Sequence, residues 1–312
     1  KQFEESFGET ADTYYLAIGR PQAFADNQAF NDGTDASPPT PVDSVGSVEY
    51  YAYDDFLSAK KITSSDVSLV IPRRNWTTGT VYDYYRHDYG DINTAGSVIS
   101  SDSGATSLYD ATFYVMNSTF DVYKVIDNNS GGASTVEPSG NKSTSVFSTG
   151  DSYKWKYMYS LSASEQANFL STDFMHVSTE SSDFSTTGGA IEHVKITAGG
   201  SGGTNGTYTG VDIRGDGSSG KATIVVASNA VSSVTITTAG SGYTYASVKA
   251  SDFGSVSGAD IDFIISPPGG HAADVVTELG GFFVMTNVDL TQADGSGDFS
   301  TGNDFRRISL IR

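Results

Sequence analysis

Gly215-Asp-Gly-Ser-Ser-Gly220 has the glycine spacing of a dinucleotide-binding turn, and Gly199-Gly-Ser201-Gly-Gly203 has that of a nucleophile elbow. The first works only where it opens a helix whose free amides meet a pyrophosphate. The second needs a strand-to-helix turn with a histidine and an acid in reach. Here the first runs into Lys221-Ala-Thr-Ile-Val-Val226, which reads as a strand, and Ser201 sits in a glycine corner that recurs later in the chain. Arg214-Gly-Asp216 matches an integrin-type tripeptide by letter and reads as a turn. Asp294, Ser296 and Asp298 imitate a calcium loop, but Phe299 stands where Gly is required and Phe305 where Glu is required, so a surface loop is expected. His87, His176, His193 and His271 lack the paired spacing of a zinc site. Acidic residues number 37, and nothing marks two of them as a glycosidase pair. No catalytic residue, metal or other cofactor is expected, and the chain does not read as an enzyme.

Positioning falls to strands. The chain has 312 residues, of which 38% are hydrophobic, 12% aromatic and only 18% charged. Solubility then rests on Ser, Thr, Asn and Gly, a composition of strands and turns. The net charge of −19, with no run of more than two Lys or Arg, argues against nucleic acid or an anionic membrane as partner. No stretch reaches the ~18 apolar residues of a membrane span. Cysteine is absent, which favours a reducing compartment. Lys1 is not an initiator Met and Phe305–Arg312 ends strand-like, so the native chain is expected to extend further.

Strands are expected at Tyr14–Gly19, Val67–Ile71, Phe282–Asn287 and Phe305–Ile311, with a hairpin over Ala111–Asp127. Val48, Tyr51, Ala52, Phe56 and Ala59 fall at helical spacing and predict a short amphipathic helix over Val48–Ala59. In Tyr153–Leu161 the residues Tyr153, Trp155, Tyr157, Tyr159 and Leu161 alternate with Lys154, Lys156, Met158 and Ser160, the pattern of a half-buried strand. Ser162-Ala-Ser-Glu165 is a capping box that should start a helix through about Leu170. Val194-Lys-Ile-Thr-Ala-Gly-Gly-Ser-Gly202 recurs as Val234-Thr-Ile-Thr-Thr-Ala-Gly-Ser-Gly242, each copy continuing to a Tyr-Thr pair. The fold class that follows is mainly β: a β-sandwich-like main domain with one or two short helices (1–187 plus 267–312), interrupted by a small duplicated Gly-rich β-module (188–266). Few acids and the lone His193 in that module point to contact, with Tyr208 and Tyr243 beside its Gly-Ser-Gly corners as possible contact residues.

Val70-Ile-Pro-Arg-Arg-Asn-Trp76 places two adjacent Arg between a buried strand and a Trp. Either the guanidiniums pair with nearby carboxylates at a strand end, or Arg73, Arg74 and Trp76 anchor an interface. At this motif the chain resembles the T-even-type bacteriophage baseplate wedge subunit, the gene-eight product family. The matching pieces run in order: Ile18-Gly-Arg20 with Phe24, Pro38-Pro39 to Pro41-Val-Asp-Ser-Val45, Val70–Trp76, Val122-Tyr-Lys124, Gly150-Asp-Ser-Tyr-Lys-Trp-Lys-Tyr157 and Phe305-Arg-Arg-Ile-Ser309. Together they cover about 14–177 and 268–312. Phe24 stands where the family usually has Trp, and the 188–266 module departs from the family pattern.

The resemblance implies a mostly β structural subunit of the virion tail baseplate, assembled in the host bacterial cytoplasm, that forms a homodimer and docks on other wedge proteins. It brings no catalytic residues. Arg73, Arg74, Trp76, Trp155 and Tyr157 are the expected interface or structural anchors. The alternative is a receptor- or carbohydrate-binding β-protein of the tail tip.

Overall fold

Residues 2–9, 12–19, 37, 56–92, 96–142, 145–178, 188–288, 305 and 308–312 are described by the computed structural model of the chain. Helix α1 (Gln2–Ser6) precedes strands β1 (Tyr14–Gly19), β2 (Phe56–Ile62), β3 (Val67–Pro72), β4 (Tyr114–Met116), β5 (Asp121–Asp127), β6 (Phe147–Ser148) and β7 (Lys154–Ser160). Helix α2 (Ala163–Phe169) and β8 (Phe174–His176) follow. Then come β9 (Ile191–Ser201), β10 (Gly206–Asp212), β11 (Arg214–Gly215), β12 (Lys221–Ala227), β13 (Ala230–Thr238), β14 (Ala246–Ser247) and β15 (Ser257–Ile265). Helix α3 (Val275–Leu279), β16 (Phe283–Thr286) and β17 (Ile308–Ile311) close the series. The mainly β expectation is borne out, with several antiparallel sheets and short helices among the described residues. The chain divides into two compact units, Lys1–Leu69 with Phe283–Arg312, and Val70–Phe282.

In the first unit β1 lies between β17 and β2. Tyr14 pairs with Ile62 across the sheet, and both are buried with Phe7 and Val67 against Leu16, Val284 and Val288. The rings of Phe3 and Phe7 meet edge to face at 5.0 Å, and Phe7 lies 4.4 Å from Tyr14. The helix expected over Val48–Ala59 is corrected in its described part. Phe56–Ala59 belong to β2, which runs antiparallel to β1 from Gly19↔Phe56 to Tyr14↔Ile62. The apolar spacing of so short a segment suits either structure, and the exposed edge of β1 decides between them by satisfying its backbone. Residues 48–55 lie outside the described ones.

The second unit holds a four-stranded sheet in the order β4-β5-β7-β6. The β4–β5 hairpin pairs Tyr114 with Lys124 and Met116 with Val122. Helix α2 starts at the expected capping box: Ser162 Oγ accepts from the Glu165 N–H at 3.3 Å, and Glu165 accepts from the Ser162 N–H at 2.6 Å. The half-exposed reading of β7 is corrected. Trp155 through Tyr159 are all buried, and Lys156 and Met158, expected to face outward, are 1% and 0% exposed. A strand hydrogen-bonded on both edges and covered on both faces has no solvent side for them.

Within 188–266, β9 pairs with β15, β12 lies between β10 and β13, and β11 pairs with β14. Ile191, Ile224, Val226, Val231, Tyr243, Phe253, Phe263 and Ile265 make a core of their own. Ala190 and Ser266 hydrogen-bond to each other in both directions at 2.9 Å, so the two ends of the stretch meet. The repeated corners carry positive φ at corresponding places, Gly200 and Gly202 in one copy and Gly240 and Gly242 in the other. At Gly200 a Cβ would come within 2.6 Å of the Ala259 nitrogen and the Ser257 oxygen, whereas at Gly202 nothing lies within 4 Å. Gly200→Ala should therefore cost roughly 3 kcal/mol and Gly202→Ala only about 1 kcal/mol, the left-handed penalty alone. Thermal melts of the two variants check this; equal losses would show that close approach does not govern the corner.

Candidate functional site

The Val70–Trp76 and Gly150–Tyr157 motifs meet in space. β3 leads out past Pro72, and the Trp76 N–H bonds to the Met116 carbonyl at 2.9 Å. The Trp76 indole then donates to Ser134 Oγ at 3.0 Å, and Ser134 Oγ donates to Asp151 at 3.1 Å. Asp151 also accepts from the Thr135 and Val136 amides at 2.8 and 2.9 Å, from Thr149 Oγ1 and from the Tyr153 amide. Burial alone would raise its pKa; the hydrogen bonds outweigh burial and hold it at about 2. The Tyr153 hydroxyl donates to the Gly132 carbonyl at 2.6 Å and accepts from the Tyr82 amide. Asp151 thus fixes the entry of β7 against two loops.

Trp155 is fully buried, stacked on Tyr153 at 5.4 Å, with its indole N–H on Thr149 Oγ1 at 3.1 Å. Tyr157 is 8% exposed, beside Tyr123, with its hydroxyl 2.7 Å from Ser160 Oγ. Arg73 and Arg74 are half-buried. Their recorded hydrogen-bond partners are not the expected carboxylates. Arg73 donates to the Ser171 carbonyl at 2.8 Å and to the Asn75 side chain. Arg74 donates to the Ala111 and Tyr109 carbonyls and lies 4.6 Å over the Tyr114 ring. Tyr208, half-buried, packs on the module core and donates to the Thr204 carbonyl at 2.9 Å. Tyr243 requires correction as a contact residue. It is 3% exposed, its hydroxyl bridges the Ile213 carbonyl and the Gly220 amide, and the tyrosine presented nearby is Tyr245, 61% exposed.

Residues 1–130 match the Phage-Gp8 family model, described as Bacteriophage T4, Gp8. The resemblance read from the motifs is borne out over that stretch, which contains Val70–Trp76 and Val122-Tyr-Lys124. The Gp8 family is one of phage baseplate structural proteins and is not known for catalysis. No curated protein matches the chain. The Gp8-type Val70–Trp76 motif is tied by Ser134 and Asp151 to the Gly150–Tyr157 strand, which lies beyond the matched residues.

Two charged clusters escaped the motif reading. Arg86, 6% exposed, binds Asp88 at 2.7 Å, Asp262 at 2.6 Å and the Tyr84 hydroxyl at 3.2 Å. Burial opposes its charge, but these partners outweigh burial and hold its pKa above the ordinary value. Close by, Lys195 lies 4.4 Å over the Tyr84 ring, and His193 Nε2 stands 3.2 Å from Asp127. Burial pushes the His193 pKa down to about 4 against the pull of Asp127, with Lys154 and Lys195 adding to the decrease. In the other cluster Lys124, His271 and Glu278 touch one another in full burial. The available signal was a lysine inside an aromatic and β-branched run, Val122-Tyr-Lys124-Val-Ile126, on a hairpin already identified. A cavity of about 830 Å³ opens beside this cluster, lined in part by Tyr85, Tyr109, Tyr243, Pro267 and Glu278. Among the described residues no group of three or more His, Asp or Glu could hold a metal ion. GxGxxG at Gly215–Gly220 leads into β12 and not a helix, and Asp216 accepts from the Thr244 amide and hydroxyl as a turn residue. The Asp294–Asp298 loop, Phe24 and Pro38–Val45 lie outside the described residues.

The pH dependence of stability has two windows. His193 and His271 have lowered native values, so stability falls as pH drops below the unfolded histidine value, between 6.5 and about 4 for His193. Asp151 is depressed from 3.8 to about 2, so its contribution is full above 3.8 and disappears as pH falls through 2. Asp151→Asn should cost about 1–2 kcal/mol at neutral pH and make the lower window shallower, a window it shares with Asp83, Asp88 and Asp121, while leaving the histidine window unchanged. Melting curves from pH 7 to 2 check this; an unchanged acid limb in the variant would remove Asp151 from the account.

Proposed function

We propose that the chain is a structural subunit of a contractile-tailed phage baseplate wedge, forming a homodimer that docks on other wedge proteins in the virion tail. The observation that carries the reading is the Gp8 family match over residues 1–130. The motif geometry agrees with a scaffold role. Arg73, Arg74, Trp76 and Asp151 spend hydrogen bonds on main-chain carbonyls, main-chain amides and the Ser134 hydroxyl, which stiffens strand exits. Assembly takes place in the host bacterial cytoplasm, without nucleic acid or membrane as partner.

Residues 188–266 act as an inserted β-module whose use is contact with a neighbour. Its own core and its joined ends support that division, and Tyr245 offers an exposed aromatic ring. Replacing 188–266 by a short Gly/Ser linker should leave the remainder folded, with a lower melting temperature from loss of the Arg86–Asp262 pair. A remainder that does not fold would make the module part of the main core.

Two measurements test the assembly reading. Light scattering of the isolated protein at micromolar concentration should give a dimer, and electron microscopy of virions carrying the labelled subunit should place the label at the baseplate. A monomer refutes the homodimer. Label elsewhere in the particle, or binding on a glycan array, would favour the tail-tip receptor alternative.

A further inference from the structure

Lys124, His271 and Glu278 are arranged as a reacting set. Lys124 lies in β5 and is 0% exposed, His271 precedes α3 at 1%, and Glu278 lies on α3 with a side chain 2% exposed. Lys124 Nζ contacts Glu278 Oε1 and His271 Nδ1, and Nδ1 is 3.2 Å from the same Oε1. The other carboxyl oxygen, Oε2, accepts the Ala272 amide at 2.7 Å. Ala272 holds φ at +67°, a left-handed conformation uncommon for a residue with a side chain. Tyr85 covers the group, its ring 4.3 Å from Nζ and 5.2 Å from the His271 ring.

An ammonium and a carboxylate deprived of water lose their hydration, so the proton-transferred pair, amine and carboxylic acid, gains weight. An amine in contact with a neutral carboxyl lacks only a proton carrier and a donor for the developing oxyanion. Both are present. Burial, with Lys124 and Lys156 nearby, keeps His271 neutral, its Nδ1 touches Lys124 Nζ and can relay a proton in passing, and the Ala272 amide donates to Oε2.

We propose that Lys124 Nζ and Glu278 Cδ become joined by an intramolecular isopeptide bond that the folded chain forms by itself. The Nζ lone pair adds to Cδ, and charge collects on Oε2 against the Ala272 amide. One Nζ proton passes to His271 Nδ1. The Cδ–Oε1 bond then breaks, and Oε1 leaves as water, carrying the proton of the acid and the proton returned by His271. No oxidant or co-reactant enters. Glu278 and Tyr85 also line the cavity described above, which gives the water an exit. The bond ties β5 to α3 across a sequence separation of 154 residues, enclosing the 188–266 stretch. It is independent of the baseplate reading.

The test is the intact mass of the full chain in denaturant, followed by a peptide map. The wild type should weigh one water less than its sequence, and the map should contain a branched peptide joining Lys124 to Glu278. Lys124→Arg should restore the full mass, and Glu278→Gln should lose ammonia where the wild type loses water. A wild-type chain at full sequence mass overturns the proposal whatever the variants do. So does a water loss that maps elsewhere or persists in Lys124→Arg.

Discussion

Asp151 is the point on which the second unit turns. Its two oxygens accept from three backbone amides and two hydroxyls. Every one of these donors is a dipole and none is a cation. A carboxylate satisfied this way is directional: it sets the path of residues 134–136 and of the turn into β7 together, which a mobile lysine would not do. Asn could not substitute fully, because its amide nitrogen would face donors. Through Ser134 the constraint reaches the Trp76 indole and so the exit of β3. Two motifs far apart in sequence are therefore one physical object.

The scarcity of cations gives those present a second role. The chain carries 18 Lys and Arg against 37 acids, yet Arg86, Lys124 and Lys156 are buried. Buried charges add little net stability against an apolar alternative, but a misplaced partner costs several kcal/mol, so such pairs select one arrangement over its neighbours. Arg86 to Asp262 and Lys124 to Glu278 both join the four-stranded-sheet region to segments later in the chain. They register those segments where apolar packing alone would accept small slips.

What was legible in the sequence was local. β-Branched and aromatic runs marked β1, β3, β5 and β7, a Ser–Glu spacing marked the start of α2, and Gly-Ser-Gly marked corners whose φ is positive. What was not legible depended on partners. Phe56–Ala59 spaced like a helix becomes a strand because β1 offers an edge. Lys156 alternates like a surface residue but lies on a strand with no exposed face. Tyr243 sits beside a glycine corner, where a ring would be expected outside. The corner instead folds over it, so that a Cβ at Gly217 would come within 2.4 Å of the ring. Alternation and propensity report what a segment can do. Only the second face of a sheet decides whether water or protein lies beyond.

The junction between 188–266 and the sheet it adjoins follows from the same limits. Its contacts include an ion pair, a cation over a ring and a histidine on a carboxylate: Arg86–Asp262, Lys195–Tyr84 and His193–Asp127. Most of the module's buried apolar residues are spent on its own core, and charge and rings contribute to the seam. A polar seam is directional where an apolar one would slide, and with both chain ends joined at Ala190 and Ser266 it holds the module at one angle. What such a seam fixes is the angle of the module more than the strength of its attachment. The seam's well-formed bonds are suited to that task.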